Sequence, residues 1–388
     1  MADERSYLDH NASAPLRACA RTAMLSALDN AANASSVHAE GRAVRRLVER
    51  ARREVATLVD AAAEHVVFTS GATEAANMLL TPDWRMGRAP LTMGRLYVSA
   101  ADHPCMLSGG RFAGEAVETF AVRSDGLVDL DALAAVLAAH DGSTGLALVA
   151  VHAANNETGV IQPVGEIARL VKDAGGVLVV DAVQAVGRIP VDIAEGWGDF
   201  LILSSHKLGG PKGAGAIVGR SDLMMPAPLM SGGGQEKGHR AGTENVAAIA
   251  GFGAAAAESL SELENMTTVR QMRDDIEAAI RHSAPDAIIH GTTAPRLPNT
   301  SFFSLPESKA ETLQIAFDLQ GVALSAGSAC SSGKVGPSHV LKAMGQGEEA
   351  TALRVSIGTV TTQDDVVRFR RALAEIADRQ ARKRSRAA

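Results

Sequence analysis

Short apolar runs alternate with amphipathic stretches through the first two-thirds of the chain. The runs are Val66–Phe68, Leu96–Ser99, Val117–Ala121, Leu146–Val151, Val177–Val180, Phe200–Leu203 and Gly215–Val218. Many are continuously apolar, which suits strands buried on both faces. Helical periodicity lies between them at Thr73–Leu80, Asp129–His140 and Val164–Ala174, and ahead of them at Arg17–Asp29 and His38–Asp60. The polar face of His38–Asp60 is arginine-rich, which solubility alone explains. Strands and helices in alternation predict an α/β fold whose large domain has a mostly parallel central sheet flanked by helices. Tyr7–Pro15 is a short extended piece ending in a turn, and Asn33–His38 is a polar loop suited to capping the long helix.

Beyond Thr243 an alanine-rich helix appears, and the pattern then changes. Leu263–His282, Lys309–Gln320, Ser338–Met344 and Gln363–Arg379 predict helices. Asp286–Gly291, Thr300–Ser304, Val322–Leu324 and Leu353–Ile357 predict strands. These form a smaller α+β unit. The expected division is a large domain over 15–259 and a small domain made of 1–14 with 260–388.

Composition narrows the class. The 388 residues are 46% hydrophobic and 21% charged, ordinary for a soluble enzyme. Aromatics are only 3%, so the core must rest on Ala, Val, Leu and Ile. A net charge of −6 argues against a broad nucleic-acid surface, and the basic run RQARKRSRAA reads as a solvated, frayed tail. Three cysteines, Cys19, Cys105 and Cys330, are too few for a disulfide framework and suit a reducing cytoplasm. The start, MADERSYLD, is charged and unlike a signal peptide, and no apolar run is long enough to span a bilayer. The expectation is a cytoplasmic enzyme with no membrane or direct nucleic-acid partner.

Ligands of parallel sheets bind beyond the carboxyl ends of the strands, so the polar residues there are the candidates. Lys207 follows FLILSSH and precedes a glycine turn. A lysine at the end of a buried strand needs a partner, neutrality or a covalent bond, and lysine amines form Schiff bases with carbonyl cofactors such as pyridoxal phosphate, PLP. Taken alone, the segment is more simply a surface lysine in a turn. Ser70-Gly71-Ala72-Thr73-Glu74 opens a helix whose free amides attract phosphate, or is a plain N-cap. His103 can stack on a planar cofactor or move protons. Asn155 and Asn156 form turns or orient a ring substituent. Asp181 ends VLVVD, where a carboxylate keeps a pyridinium nitrogen protonated, and Gln184 lies three residues on. Each has a structural alternative. Together, in this order at the ends of one inferred sheet, they describe a PLP site.

The small unit adds Cys330 in the loop Ala326–Gly333, where a displayed thiol is mobile and accessible, although free cysteines are more often buried. Cys19 reads as structural, and Cys105, two residues from His103, stays open between roles. Arg354 lies inside the apolar strand LRVSIG and needs a partner, for which a substrate carboxylate is suitable.

The chain resembles the cysteine desulfurases of the nitrogen-fixation and iron–sulfur-assembly type, fold type I PLP enzymes of the class V aminotransferase-like group. The motifs that carry the likeness are FTSGATEAAN, DHP, NNETGV, VDAVQAVG, SSHKLGGPKG, GHRAGTENV, LPNTSFFS and SAGSACSSG followed by PSHVLKAMG. They run in the family's order through nearly the whole chain. The resemblance implies that Lys207 binds PLP covalently and moves protons, that His103 stacks on the ring and is a catalytic acid–base group, and that Asp181 pairs with the ring nitrogen. It implies that Gln184 and Asn156 contact the ring or its hydroxyl, and that Ala72, Thr73, Ser204 and His206 bind the phosphate. Thr243 would reach the phosphate of a second subunit, making a homodimer. Arg354, helped by Asn33, would hold the carboxylate of L-cysteine, and Cys330 would take its sulfur as a persulfide. A protein sulfur acceptor such as an iron–sulfur scaffold would follow, and no metal site is implied.

Departures from the family pattern are Ala12-Ser13-Ala14-Pro15 for Ala-Thr-Thr-Pro, Asn33-Ala34-Ser35-Ser36 for Asn-Pro-Ser-Ser, and Asp102 for glutamate. They touch the entrance more than the ring. A selenocysteine lyase or another class V lyase or aminotransferase shares all but the need for the Cys330 thiol. A catalytically idle scaffold of the same fold is the alternative from another class.

Overall fold

The computed structural model describes residues 5–306, 308–327 and 336–387, with backbone alone at 381 and 383–387. Its large sheet has the order Met224–Pro226, Asp83–Met86, Ala89–Ser99, Leu146–His152, Val177–Asp181, Phe200–Ser204, Gly215–Gly219 and Val66–Thr69. Val117–Phe120 pairs with the later half of Ala89–Ser99. Pairing is parallel from Val117–Phe120 through to Phe200–Ser204. Gly215–Gly219 is antiparallel to both its neighbours, so Val66–Thr69 again points the same way as Phe200–Ser204. Asp83–Met86 is likewise antiparallel to both its neighbours, so the sheet is mostly parallel with two reversed strands inside it, and most of its strands end on one edge. The class is α/β, as the alternation predicts.

The continuous apolar runs have a direct cause. Leu201 and Leu203 face one hydrophobic cluster, while Phe200 and Ile202 face another on the opposite side. Both faces are covered, and each such side chain stabilises the fold by roughly 1.5–3 kcal/mol through burial. The pairing of Asp83–Met86 with Ala89–Ser99 and Met224–Pro226 is an extension that the apolar pattern does not reveal. Only Trp84 is buried in Asp83–Met86, so its period is silent.

Ala39–Leu58 packs against Val246–Ser261, where a Cβ at Gly253 would lie 2.5 Å from the Cα of Ala51. From that interface the buried Arg52 donates to both carboxylate oxygens of Glu236, each at 2.7 Å. Glu236 also accepts the Phe68 N–H at 2.8 Å. Glu236 and Lys237 adopt φ of 46° and 56°, and the ion pair holds this turn in place. The loop His239–Thr243 is thereby fixed beside the strand that ends at Thr69.

A second, antiparallel sheet has the order Ile288–Ile289, Thr300–Ser304, Leu353–Ser356 and Ser325–Ala326. Its core includes Leu8, Ile276, Phe303, Phe317 and Phe369, with the last two rings stacked at 5.4 Å. Ser6–Tyr7 pairs in parallel with Val322–Ala323, so the start of the chain belongs to this packing. The final helix, Gln363–Ala387, corrects one expectation: its backbone continues helical through the basic run where a frayed tail is expected. No single helix among the described residues is long and apolar enough to cross a membrane.

Candidate active site

Beyond the carboxyl ends of the strands lies a cavity of about 530 Å³. Its wall includes Ala72, Thr73, His103, Asn156, Asp181, Gln184, Ser204, His206 and Lys207. These predicted residues come from strands scattered through the sequence and meet because the strands are parallel and adjacent. The turn Ser205–Lys207 directly follows Phe200–Ser204 and delivers Lys207 to the edge. Its Nζ donates to the carbonyls of Asn11 at 2.5 Å and Ala12 at 2.9 Å.

Opposite the amine, Asp181 ends its strand as a buried carboxyl whose Oδ1 accepts the Val183 N–H at 3.0 Å. Among the described residues it makes no ion pair within 4.0 Å. Burial pushes its pKa up to about 6, against the pull of that amide. In the folded state it therefore keeps its proton to a higher pH than in the unfolded chain. Stability is lost as pH rises from about 4 through 6, because the unfolded chain ionises first. Asp181→Asn is expected to stabilise the ligand-free protein by up to about 3 kcal/mol at pH 8, with the gain vanishing near pH 4. Denaturation of both proteins across this range checks it. An equal difference at both ends would contradict the assignment.

Beside Asp181 in parallel register is His152, a wall residue that the sequence reading does not single out. Gln162 Oε1 accepts the Val128 N–H, so its Nε2 donates to Gly126 O and to His152 Nε2 at 3.1 Å. His152 Nδ1–H then donates to Asp102 Oδ1 at 2.9 Å. The other oxygen of Asp102 is buried without a partner in this network, and burial raises its pKa. Asp102 thus holds an imidazole beneath the cavity and is buried away from its entrance.

His103 caps the short helix Pro104–Leu107, its Nδ1 accepting the Cys105 N–H at 3.2 Å with Cys105 Sγ at 3.0 Å. Burial, then the charges of Lys207 and His339, bring its pKa down to about 4, so it is a neutral ring at pH 7. The ring proton then sits on Nε2. His206 is likewise lowered to about 4, chiefly by burial, and its Nδ1 lies 3.3 Å from Ser13 Oγ. The helix Ala72–Leu79 starts on the cavity wall, and its first-turn amides have no partner within the helix. Glu74 is turned aside, bonded to Arg240 and the Ser70 N–H.

Three predicted residues are absent from this wall. Arg354 is 2% exposed, bonded to Asp9 at 2.8 Å and to Asn156 O at 2.8 Å, and its buried Nε has no partner. Asn33 is exposed and bonds its own loop through the Ser35 N–H at 2.8 Å. Thr243 lines a neighbouring cavity of about 200 Å³ with Ser70 and Arg240. Cys330 lies outside the described residues. The flanks of its loop meet at Glu157, which accepts from Ser338 Oγ at 2.5 Å and would clash with a Cβ at Gly327. Burial raises Glu157 to about 7. Cys19 is inert, its pKa lifted to about 11 by burial and then Glu258. Asn11 is another wall residue not foreseen; its side chain bridges Thr300 and Asn299 while its carbonyl receives Lys207. Nothing local in YLDHNASAP signals that role.

A lysine amine and a buried carboxyl thus share one cavity at the carboxyl edge of a mostly parallel sheet. Residues 6–369 match the aminotransferase class-V family model. A cysteine desulfurase of Frankia sp. (strain EuIK1) is 41% identical over 380 residues, covering 93% of this chain and 88% of that one. A cysteine desulfurase of Cereibacter sphaeroides is 38% identical, covering 97% and 96%. The X-ray structure of a NifS-like protein from Rickettsia africae superposes with a TM-score of 0.85 at 32% identity, covering 97% of this chain and all of the other. The chain belongs to the cysteine desulfurases of the class-V aminotransferase family.

Proposed function

We propose that this chain binds PLP on Lys207, takes the sulfur of L-cysteine to leave L-alanine, and holds that sulfur as a persulfide on Cys330. The observation that carries the reading is the Lys207 amine sharing a cavity with the buried Asp181 carboxyl, which has no ion pair among the described residues. A cationic ring nitrogen would offset the desolvation of Asp181, and a phosphate would use the free amides of Ala72 and Thr73. The donor set therefore fits PLP.

In the reaction, Asp181 would hold the ring nitrogen, Gln184 and Asn156 the ring hydroxyl, and Ser204 and His206 would join the helix amides on the phosphate. His103, neutral at pH 7, would cover the ring and exclude water from one face. PLP, when bound, supplies an electron-poor ring that stores the charge left as the substrate α-proton departs. Lys207 would carry that proton. Arg354 would take the substrate carboxylate by exchanging it for Asp9, with Asn33 closing on the entrance. The Cys330 thiolate would attack the substrate sulfur: an S–S bond forms, the Cβ–S bond breaks, and protons complete alanine, so no external oxidant is needed. Thr243 would reach the phosphate of a second copy, making a homodimer. The same reading divides the chain at 15–259 and at 1–14 with 260–388, with the thiol on the small unit. The persulfide would pass to a protein acceptor such as an iron–sulfur scaffold in the cytoplasm.

The test is alanine release. PLP-loaded protein given L-cysteine and a reducing thiol is expected to form L-alanine and sulfide in equal amounts over many turnovers. Protein that carries PLP yet releases pyruvate and ammonia, or nothing, would overturn the reading.

A further inference from the structure

Arg188 is a buried cation without a carboxylate. It is 7% exposed, and among the described residues no acid pairs with it. The other buried arginines all have one: Arg52 has Glu236, Arg273 has Asp274, and Arg354 has Asp9. Burial, then the nearby Arg354, lowers its pKa to about 9, so it is charged at pH 7. An unpaired buried charge is strongly unfavourable unless something else meets it.

What Arg188 does touch is Gln184. Its Nη1 donates to the Gln184 carbonyl at 2.8 Å and to Gln184 Oε1, and its Nη2 approaches the Lys207 carbonyl at 3.5 Å. These contacts fix the amide. Oε1 must face the guanidinium, and Nε2 donates one N–H to Asn11 O at 3.0 Å. Gln184 lies on the wall of the large cavity, whereas Arg188 lines a separate cavity of about 280 Å³ behind Lys207. The guanidinium therefore acts on the site from behind.

We propose that Arg188 is a positioning residue: it turns the Gln184 amide so that its remaining N–H is offered to the cavity, and its uncompensated charge is met by an anionic oxygen on the ligand ring. This rests on the reading of the site as a PLP site. A polarised amide donor and a nearby cation both favour the ionised ring oxygen.

The experiment compares wild type, Arg188→Met, Gln184→Leu and the double variant, each stripped of PLP and titrated with it. Two quantities are read: PLP affinity, and the pH midpoint at which the absorbance of lysine-bound PLP changes form. Arg188→Met is expected to weaken PLP about tenfold and raise the midpoint by about one pH unit. On the Gln184→Leu background, it should weaken PLP by less than about twofold further. Folded Arg188→Met with wild-type affinity and midpoint, or fully additive losses of affinity, would overturn the proposal. Should Arg188→Met not fold, Arg188→Lys decides: the retained charge should hold the midpoint while affinity drops about threefold or more, and wild-type affinity would overturn it. Wild type that shows no lysine-bound PLP removes the reading of the site, and this inference with it. A normal wild type beside an unaffected variant removes this inference alone.

Discussion

Lys207→Ala is expected to lower alanine formation from L-cysteine by at least about a thousandfold, because in the proposed reaction one amine would be both the covalent anchor of PLP and the carrier of the α-proton. The histidines on the wall are poor substitutes. The other nitrogen bases on the wall include His103, whose pKa of about 4 makes it a poor proton acceptor at pH 7. His206 is equally depressed, and His152 is tied between Gln162 and Asp102. The fold should survive, because Nζ bonds carbonyls of the N-terminal segment at the carboxyl edge of the sheet and not a side chain of the hydrophobic core. PLP should still enter, held by the phosphate and Asp181 contacts, without reducible attachment to the chain. Steady-state alanine assays with borohydride trapping check both halves. A variant that keeps a tenth of the wild-type rate would show that Lys207 is not the proton carrier.

Cys330→Ser has the second-largest expected effect and separates sulfur transfer from cofactor binding. None of the described residues on the cavity wall comes from the small antiparallel sheet. PLP affinity and absorbance should therefore stay within about twofold of wild type. Alanine formation should fall roughly a hundredfold or more, since a serine hydroxyl is a far weaker nucleophile toward sulfur than a thiolate. Undiminished turnover of another amino acid by this variant would favour a lyase or aminotransferase that does not use the loop.

The site was legible where it follows from one rule of sheet architecture. Asp181, Lys207, His103 and the Ser70–Thr73 turn each follow a continuous apolar run, and parallel strands carry such residues to one edge. His152 obeys the same rule, as the last residue of Leu146–His152, yet escaped notice inside LALVAVH. Long-range partners left no trace. Asp9 and Arg354 are 345 positions apart, so the strand arginine pointed to a missing acid without revealing that the chain's own N-terminal segment supplies it. Asn11 is silent for a similar reason: what matters is its backbone carbonyl, to which both Lys207 and Gln184 donate. The Arg188–Gln184 contact was within reach, since residues four apart in a turn are neighbours, but its lack of a carboxylate partner appears only in three dimensions.

The most direct measurement is intact-protein and peptide mass spectrometry after PLP-loaded wild type meets L-cysteine without added reductant. The account predicts the mass of one additional sulfur on the peptide containing Cys330, with one alanine released for each sulfur gained. Alanine release with the added sulfur on Cys105 or Cys19 instead, or an unmodified protein that has consumed cysteine, would contradict it.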